Sequence, residues 1–489
     1  MMTDCCSNSS NEERKQDNDH QPPFDGRLLI IGGGSAAFAA AIRAHELGSS
    51  VTLVNDGLPI GGTCVNVGCV PSKTLIRAAE AHHKAQERRF EGIDSSSQVT
   101  DFKAIIAQKD ELVGALRQEK YINVVRDLDG IDIVEGRAVF EGPNAVRVNG
   151  EIIEANRVLV ATGSSPFIPA VPGLDAVDYL TSQTAMELRD LPRSLIFLGG
   201  GYIALELGQM FSRLGTNVTI LQRSEHVLSS ESADVAKALS GHLREEGIQI
   251  VSGTTLESIG RSDDGAWVEF TSGGSMQRVT GERILVTTGR RPNTEGLGLD
   301  RVGVEVDGTG AIVVDEYLET SAPGMYAAGD VAGEFPFVYA AAYEGGIAAE
   351  NAITGHTRKT DYRAIPWVVF TDPQLAGVGM DEEAAQKQGL EVDVARLDLG
   401  HVPRALAARD TRGFVKLVRD RKTDRLVGAR ILAPEGGELV MEASLAIKYN
   451  IPVSDLAQTF HPYLTMSEAI KLAAITFTKD VSQLSCCAT

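Results

Sequence analysis

Residues 27 to 56 read RLLIIGGGSAAFAAAIRAHELGSSVTLVND. The short apolar run at 28–31 predicts a strand, Gly32-x-Gly34-x-x-Ala37 predicts a tight turn into a helix, and the apolar run at 51–54 predicts a second strand. Residues 194 to 223, SLIFLGGGYIALELGQMFSRLGTNVTILQR, repeat the plan with Gly199-x-Gly201-x-x-Ala204. One such glycine motif in a glycine-rich chain says little. Two, each between a strand and a helix of fitting length, predict two Rossmann-type units. The glycines permit the turn and let backbone N–H groups approach a pyrophosphate at the helix N-terminus, so two dinucleotides are expected.

The residue that ends the second strand distinguishes the dinucleotides. A carboxylate there bonds ribose hydroxyls, whereas an Arg accommodates a 2′-phosphate. The second unit ends TILQRS, with neutral Gln222 and then Arg223. This favours NADPH over NADH, bound against Gly199, Gly201, Ala204 and Arg223. In the first unit the acid position falls on Asn55, with Asp56 beside it. Asn still bonds a ribose, more weakly than a carboxylate.

A length of 489 residues suggests three domains of about 150 residues each, and 43% hydrophobic content suffices for their cores. The net charge of −20 argues against nucleic acid as a partner. No apolar run is long enough to predict a membrane helix. The polar segment 1–25 lacks the apolar core of a signal peptide and is expected to be a disordered tail. Six cysteines in so long a chain do not make a disulfide scaffold; they suggest a cytoplasmic protein that uses thiols for redox or metal chemistry.

Cys64 and Cys69 lie in GGTCVNVGCVPSK, residues 61–73. In a regular helix their Cα atoms would stand about 8.7 Å apart, beyond the roughly 7 Å limit for a disulfide. The segment must therefore bend, and Gly68 supplies the freedom. A zinc ribbon would need two-residue gaps and a second pair. Two thiols directly after a dinucleotide fold read as a redox disulfide that takes electrons from the cofactor.

GGTCVNVGCVPSK resembles the redox-disulfide signature of the flavoprotein pyridine nucleotide-disulfide reductases. The likeness continues through VLVATGSSP (158–166), VTTGRRPN (286–293), MYAAGDV (325–331) and the C-terminal portion, covering essentially 26–489. It implies an α/β fold with two Rossmann-type dinucleotide-binding domains, for FAD and NADPH, and a C-terminal α+β dimerisation domain. The implied divisions are 26–174 with 289–360 for FAD, 175–288 for NADPH, and 361–489 for the interface. By this resemblance Gly32, Gly34, Ala37, Asn55, Asp56, Gly57, Thr63, Lys73, Ala138, Asp330 and Val338 hold FAD, with Asp330 at the ribityl chain. Lys73 pairs with Glu206 near the flavin ring, Cys69 contacts the flavin, and Cys64 exchanges with substrate.

Disulfide reductases of this family protonate a leaving thiolate with a His held by a Glu, in an HPTxxE-like run from the partner subunit. His suits that task because its pKa lies near 7. Here the run is FHPYLTMSEAIKLA. Tyr463 stands five residues before Glu468, and His461 stands seven before it. A Tyr, with a pKa near 10, is a poor replacement, so disulfide substrates lack their proton donor unless the loop carries His461 into place. The chain ends VSQLSCCAT. Adjacent Cα atoms are about 3.8 Å apart, below the usual disulfide range from about 4.4 Å. Cys486 and Cys487 therefore suit the gripping of a soft metal ion better than a structural bridge.

This tail, Tyr463, and Tyr202 after the second glycine motif are together similar to the mercuric reductase branch. The similarity implies a homodimer with its active site shared between subunits, reducing Hg(II) thiolate complexes to Hg(0). The metal would pass from the partner subunit's Cys486 and Cys487 to Cys64 and Cys69, with Tyr202 and Tyr463 shaping the metal site. Many members of that branch carry an N-terminal metal-binding domain with a GMTCxxC loop. This sequence has instead the adjacent Cys5 and Cys6, for which metal collection and no role both stay open.

Overall fold

The structure is a computed structural model that describes residues 24, 26–263 and 265–481. Cys5, Cys6, Cys486 and Cys487 lie outside the described residues, as does nearly all of the tail expected over 1–25.

The first glycine plan folds as β1 (Arg27–Ile31), α1 (Ser35–Glu46) and β2 (Ser50–Asn55). Leu28 and Ile30 of β1 pack with Ala37, Phe38 and Ala41 of α1, while Leu29 and Ile31 pack with Phe140 and Val146 on the opposite face. Burial on both faces explains an unbroken apolar run in place of an alternating one. β1 pairs in parallel with β2 and with the strand Val158–Val160, and β2 pairs in parallel with β3 (Ile131–Glu135). Met325–Ala327 completes this five-stranded sheet beside Val158–Val160. The chain thus leaves the first unit and returns to it.

The excursion contains the second glycine plan. Strands Ser194–Leu198 and Asn217–Leu221 flank the helix Tyr202–Arg213 in another five-stranded parallel sheet, completed by Gln249–Val251, Arg283–Val286 and Tyr179–Thr181. The crossover helices of both units are 12 residues long. The C-terminal unit differs in kind: a five-stranded antiparallel sheet, with Pro366–Val369 and Val392–Asp398 at its edges. Helices Gly436–Lys448 and Glu468–Ile475 share its core. Met441 and Leu445 on the first of these helices are exposed, as are Tyr449, Phe460, Tyr463 and Leu464.

Buried charges link the three units. Arg213, 4% exposed, reaches Glu246 at 2.7 Å and Asp372 at 3.1 Å. Arg412 contacts Asp372 at 3.0 Å and Asp410 at 2.8 Å, and Arg89 of the first unit contacts Asp410 at 2.6 Å. Such pairs add little net stability but make the domain arrangement specific, since removing one member strands a charge. Among the described residues, no helix is long and apolar enough to cross a membrane.

Candidate active site

The thiols sit where two short helices meet. α2 (Gly62–Val67) carries Cys64, and Cys69 opens α3 (Cys69–Lys84). Gly68 breaks the helix at φ −127° and ψ −105°, and a Cβ there would lie 2.9 Å from the Thr63 carbonyl oxygen. The bend predicted from spacing is therefore present, and both thiols are free and half-buried. They share a hydrogen bond that splits their acidities. The Cys64 thiol donates it, which lowers the Cys69 pKa to about 7 against burial, with help from Lys73. Cys64 is pushed up, first by that bond and then by burial. The pair is thus a thiol next to a thiolate, and the thiolate lies at a helix N-terminus, where negative charge is favoured.

Lys73 is one turn beyond Cys69 and shares its helix face. Its Nζ meets Glu206 Oε2 at 2.6 Å and lies 4.7 Å from the Phe370 ring centre. Glu206 is one turn beyond Tyr202 on the second-unit helix, and its Oε1 accepts the Phe370 N–H at 2.9 Å. This clamp fixes α3 to the second unit and places a cation beside the Cys69 thiolate. Tyr202 packs edge-on against Trp367 and Phe337, with ring centres at 6.0 and 6.4 Å. Burial, and then Glu231, push its pKa up to about 12, so it remains a hydrogen-bond donor at neutral pH.

The glycine turns suit pyrophosphates. Gly32 has φ +131°, and a Cβ on it would fall 2.1 Å from the Ala161 carbonyl oxygen. Gly199 has φ +105°, and a Cβ there would be 2.5 Å from the Thr287 carbonyl oxygen. Only glycine fits either turn. Neither Gly34 nor Gly201 caps its helix with a side chain, so first-turn N–H groups are open to a phosphate. A Cβ on Gly201 would meet nothing within 4 Å, which leaves space in front of that helix. The residues present therefore fit a dinucleotide in each unit.

The strand ends differ from the simple expectation. Gln222 is buried, and its Oε1 accepts the Gly200 N–H at 2.8 Å, so it supports the turn itself. Arg223 is exposed beside it. Asn55 is buried and donates to Leu58 and Glu135, while Asp56 and Gly57 are exposed. Asp330 accepts a hydrogen bond from Ser164 Oγ at 2.6 Å, and Ser164 Oγ in turn accepts one from Arg290 Nε at 2.7 Å. Thr63 is half-buried on α2, and Val338 opens the helix Val338–Thr354. Ala37, Ala138 and Ala204 are buried in the core. Any part they play in binding would rest on their small size and backbone.

His461 does not reach Glu468. Its Nε2 meets Glu442 at 2.8 Å and its Nδ1 faces the Thr459 carbonyl at 3.1 Å. Glu468 Oε2 is buried with no hydrogen-bond partner among the described residues. Within one chain both ring nitrogens of His461 are engaged away from Glu468. Tyr463 lies in the same loop and is 48% exposed.

Several site residues were not singled out in the sequence. Asn66 Nδ2 donates to the carbonyls of Pro59, Ile60 and Gly62, and its Oδ1 accepts from Arg117 at 3.1 Å, which knots the segment before Cys64. Tyr121, in a π-helical turn at Gln118–Ile122, packs against Phe38 at 4.9 Å near the thiols. Ser164 and Arg290 fall inside two of the quoted motifs; Asn66 stands between the cysteines. Tyr121 and Trp367 carried no local signal. Among the described residues, no cluster of three or more His, Cys, Asp or Glu could hold a metal.

Comparison with known proteins agrees with this geometry. Residues 26–345 match the pyridine nucleotide-disulphide oxidoreductase model, and 365–474 match the dimerisation domain of the same family. A mercuric reductase of Streptomyces lividans is 48% identical over 92% of this chain and 96% of its own length. One from Staphylococcus aureus is 44% identical over 92% of this chain and 82% of its own length. Among solved structures, the HOCl-induced flavoprotein disulfide reductase RclA of Escherichia coli, as its Cu(II) complex, matches with a TM-score of 0.82 at 30% identity, covering 94% of this chain and 100% of that one. LpdA of Mycobacterium tuberculosis matches with a TM-score of 0.81 at 30% identity, covering 93% and 100%. With a thiol pair beside two glycine-turn units and an antiparallel dimerisation domain behind them, the chain belongs to the pyridine nucleotide-disulphide oxidoreductase family, in company with the mercuric reductases.

Proposed function

We propose that this chain reduces thiolate-bound Hg(II) to Hg(0) with NADPH as electron source, as an FAD-containing homodimer whose active site draws on both subunits. What carries the reading is one combination: the split Cys64–Cys69 pair together with Tyr463 where a proton-donating His would stand, in a chain this close to the mercuric reductases.

FAD would be held by the first unit, at Gly32, Gly34, Ala37, Asn55, Asp56, Gly57, Thr63, Lys73, Ala138, Asp330 and Val338. NADPH would be held by the second, at Gly199, Gly201, Ala204 and Arg223. Bound there, the two cofactors supply a two-electron path from nicotinamide to the thiol site. The residues of the chain then handle the metal. Cys486 and Cys487 of the partner subunit take Hg(II) from its carrier thiols, and Cys64 and Cys69 take it from them. At each exchange one Hg–S bond forms as another breaks, so the metal stays ligated. The Cys64 proton leaves with the departing thiolate, which lessens the need for a separate acid. Lys73, held by Glu206, stabilises the Cys69 thiolate electrostatically. Tyr202 and Tyr463 present phenol hydroxyls that shape the site; Tyr202, its pKa pushed up to about 12 by burial, is a donor and not a base.

NADPH oxidation with Hg(II) in excess thiol, run beside glutathione disulfide and lipoamide, tests the assignment. Turnover with Hg(II) and little with either disulfide is expected. The opposite pattern assigns the chain to disulfide reduction, and Hg(II) binding without NADPH consumption or bound flavin assigns it to metal sequestration.

A further inference from the structure

The first unit lacks the acid that ordinarily ends its second strand, because Asn55 stands there. The sheet brings a carboxylate to the same place from the neighbouring strand. β2 and β3 run parallel, with Asn55 in register with Glu135, so both strands end in the crevice where a dinucleotide binds. Asn55 Nδ2 donates to Glu135 at 3.0 Å (Oε2) and 3.3 Å (Oε1), and to the Leu58 carbonyl at 3.1 Å. Those contacts use both amide hydrogens. The Asn55 Oδ1 is turned toward the glycine loop, 2.2 Å from where a Cβ on Gly33 would sit. Asn55 itself is 4% exposed. It is placed first of all as a brace for that carboxylate.

Glu135 has the opposite character. It is exposed, and its carboxylate offers about four lone-pair positions, yet among the described residues its recorded side-chain donor is the Asn55 amide. Ribose hydroxyls are donors that need such an acceptor, and hydrogen bonds to an ionised acceptor are the stronger kind. Asp56 is also exposed and nearby, but among the described residues no hydrogen bond fixes its carboxylate at the strand end.

We propose that Glu135 accepts the hydrogen bonds of the adenosine ribose of the flavin dinucleotide, with Asn55 as the positioning residue that holds its carboxylate in the crevice. The ribose-binding acid has in effect moved one strand across the sheet. This rests on the reading that the first unit holds FAD.

The test is FAD release from the purified full-length holoenzyme, followed by the rise in flavin fluorescence on dilution, together with thermal unfolding of the flavin-stripped chain. Glu135→Gln should release FAD about tenfold faster or more while the flavin-stripped protein melts as the parent does. Asp56→Asn should speed release less than Glu135→Gln does, and adding Asn55→Glu to Glu135→Gln should restore retention. Parent-like release from Glu135→Gln overturns the proposal. So do a lowered melting temperature of its flavin-stripped form, no recovery in the double variant, or a larger effect from Asp56→Asn. A parent enzyme purified without flavin would instead overturn the cofactor reading on which the proposal stands.

Discussion

Replacing Cys64 by Ala tests the split between the two thiols. Cys69 has its pKa lowered from the ordinary 9.0 to about 7, and the largest cause is the hydrogen bond from the Cys64 thiol. Burial works against it, as does Glu206, and Lys73 helps. Removing the donor leaves burial as the largest remaining influence, so Cys69 should return to about 9 or above. Two units correspond to about 2.7 kcal/mol of lost thiolate stabilisation. At pH 7.5 the thiolate fraction would fall from about three quarters to about 3%. The alkylation rate at that pH would fall less, by about threefold, because the more basic thiolate is also more nucleophilic. The inflection is thus the better readout. The rate of iodoacetamide alkylation at Cys69, mapped by mass spectrometry across pH 5 to 10 in the reduced enzyme, should show a midpoint near 7 in the parent. In Cys64→Ala that midpoint should lie at 9 or higher. The sign is fixed: the thiolate is present above the midpoint and lost below it. A midpoint still near 7 in the variant would refute the reasoning and assign the shift to the N-terminus of α3 and to Lys73.

Glu206→Ala removes the acceptor of both the Lys73 Nζ and the half-buried Phe370 N–H. Lys73 is 33% exposed and partly rehydrates, so a loss of about 2 kcal/mol is expected in urea unfolding; Glu206→Gln, which keeps the Phe370 bond, should lose less. Arg213→Met takes from the largely buried Glu246 its nearest cation and leaves Asp372 to Arg412, and should cost about 3 kcal/mol in the same measurement. Deleting residues 486–489 should sharply reduce NADPH-dependent turnover when Hg(II) arrives as a complex with strong thiols, with flavin content unchanged. Full turnover in that variant would remove the proposed role of Cys486 and Cys487.

Short-range patterns were legible in the sequence because their physics is short-range. The strand-turn-helix plan at 27–56, and again at 194–223, rests on an apolar run and on glycines whose backbone geometry no other residue tolerates, as Gly32 with its φ of +131° illustrates. The break between Cys64 and Cys69 followed from helix geometry alone. The motif segments containing Ser164, Arg290 and Asp330 were recognisable as segments, but the hydrogen bonds that join them were not.

What the amino-acid order determined by itself was the class of the fold, its two dinucleotide units, and the five-residue spacing of the thiols. Tertiary structure alone decided which groups meet. Lys73 finds Glu206 across 133 residues, and Asn55 finds Glu135 across 80. Arg213 finds Asp372 across 159, while His461 turns to Glu442 and away from Glu468. These contacts depend on how sheets stack and domains dock, and an isolated charged side chain looks the same in sequence whether it faces water or a buried partner. That is why the missing acid at Asn55 reads as a gap along the chain, yet the folded sheet sets a carboxylate beside it.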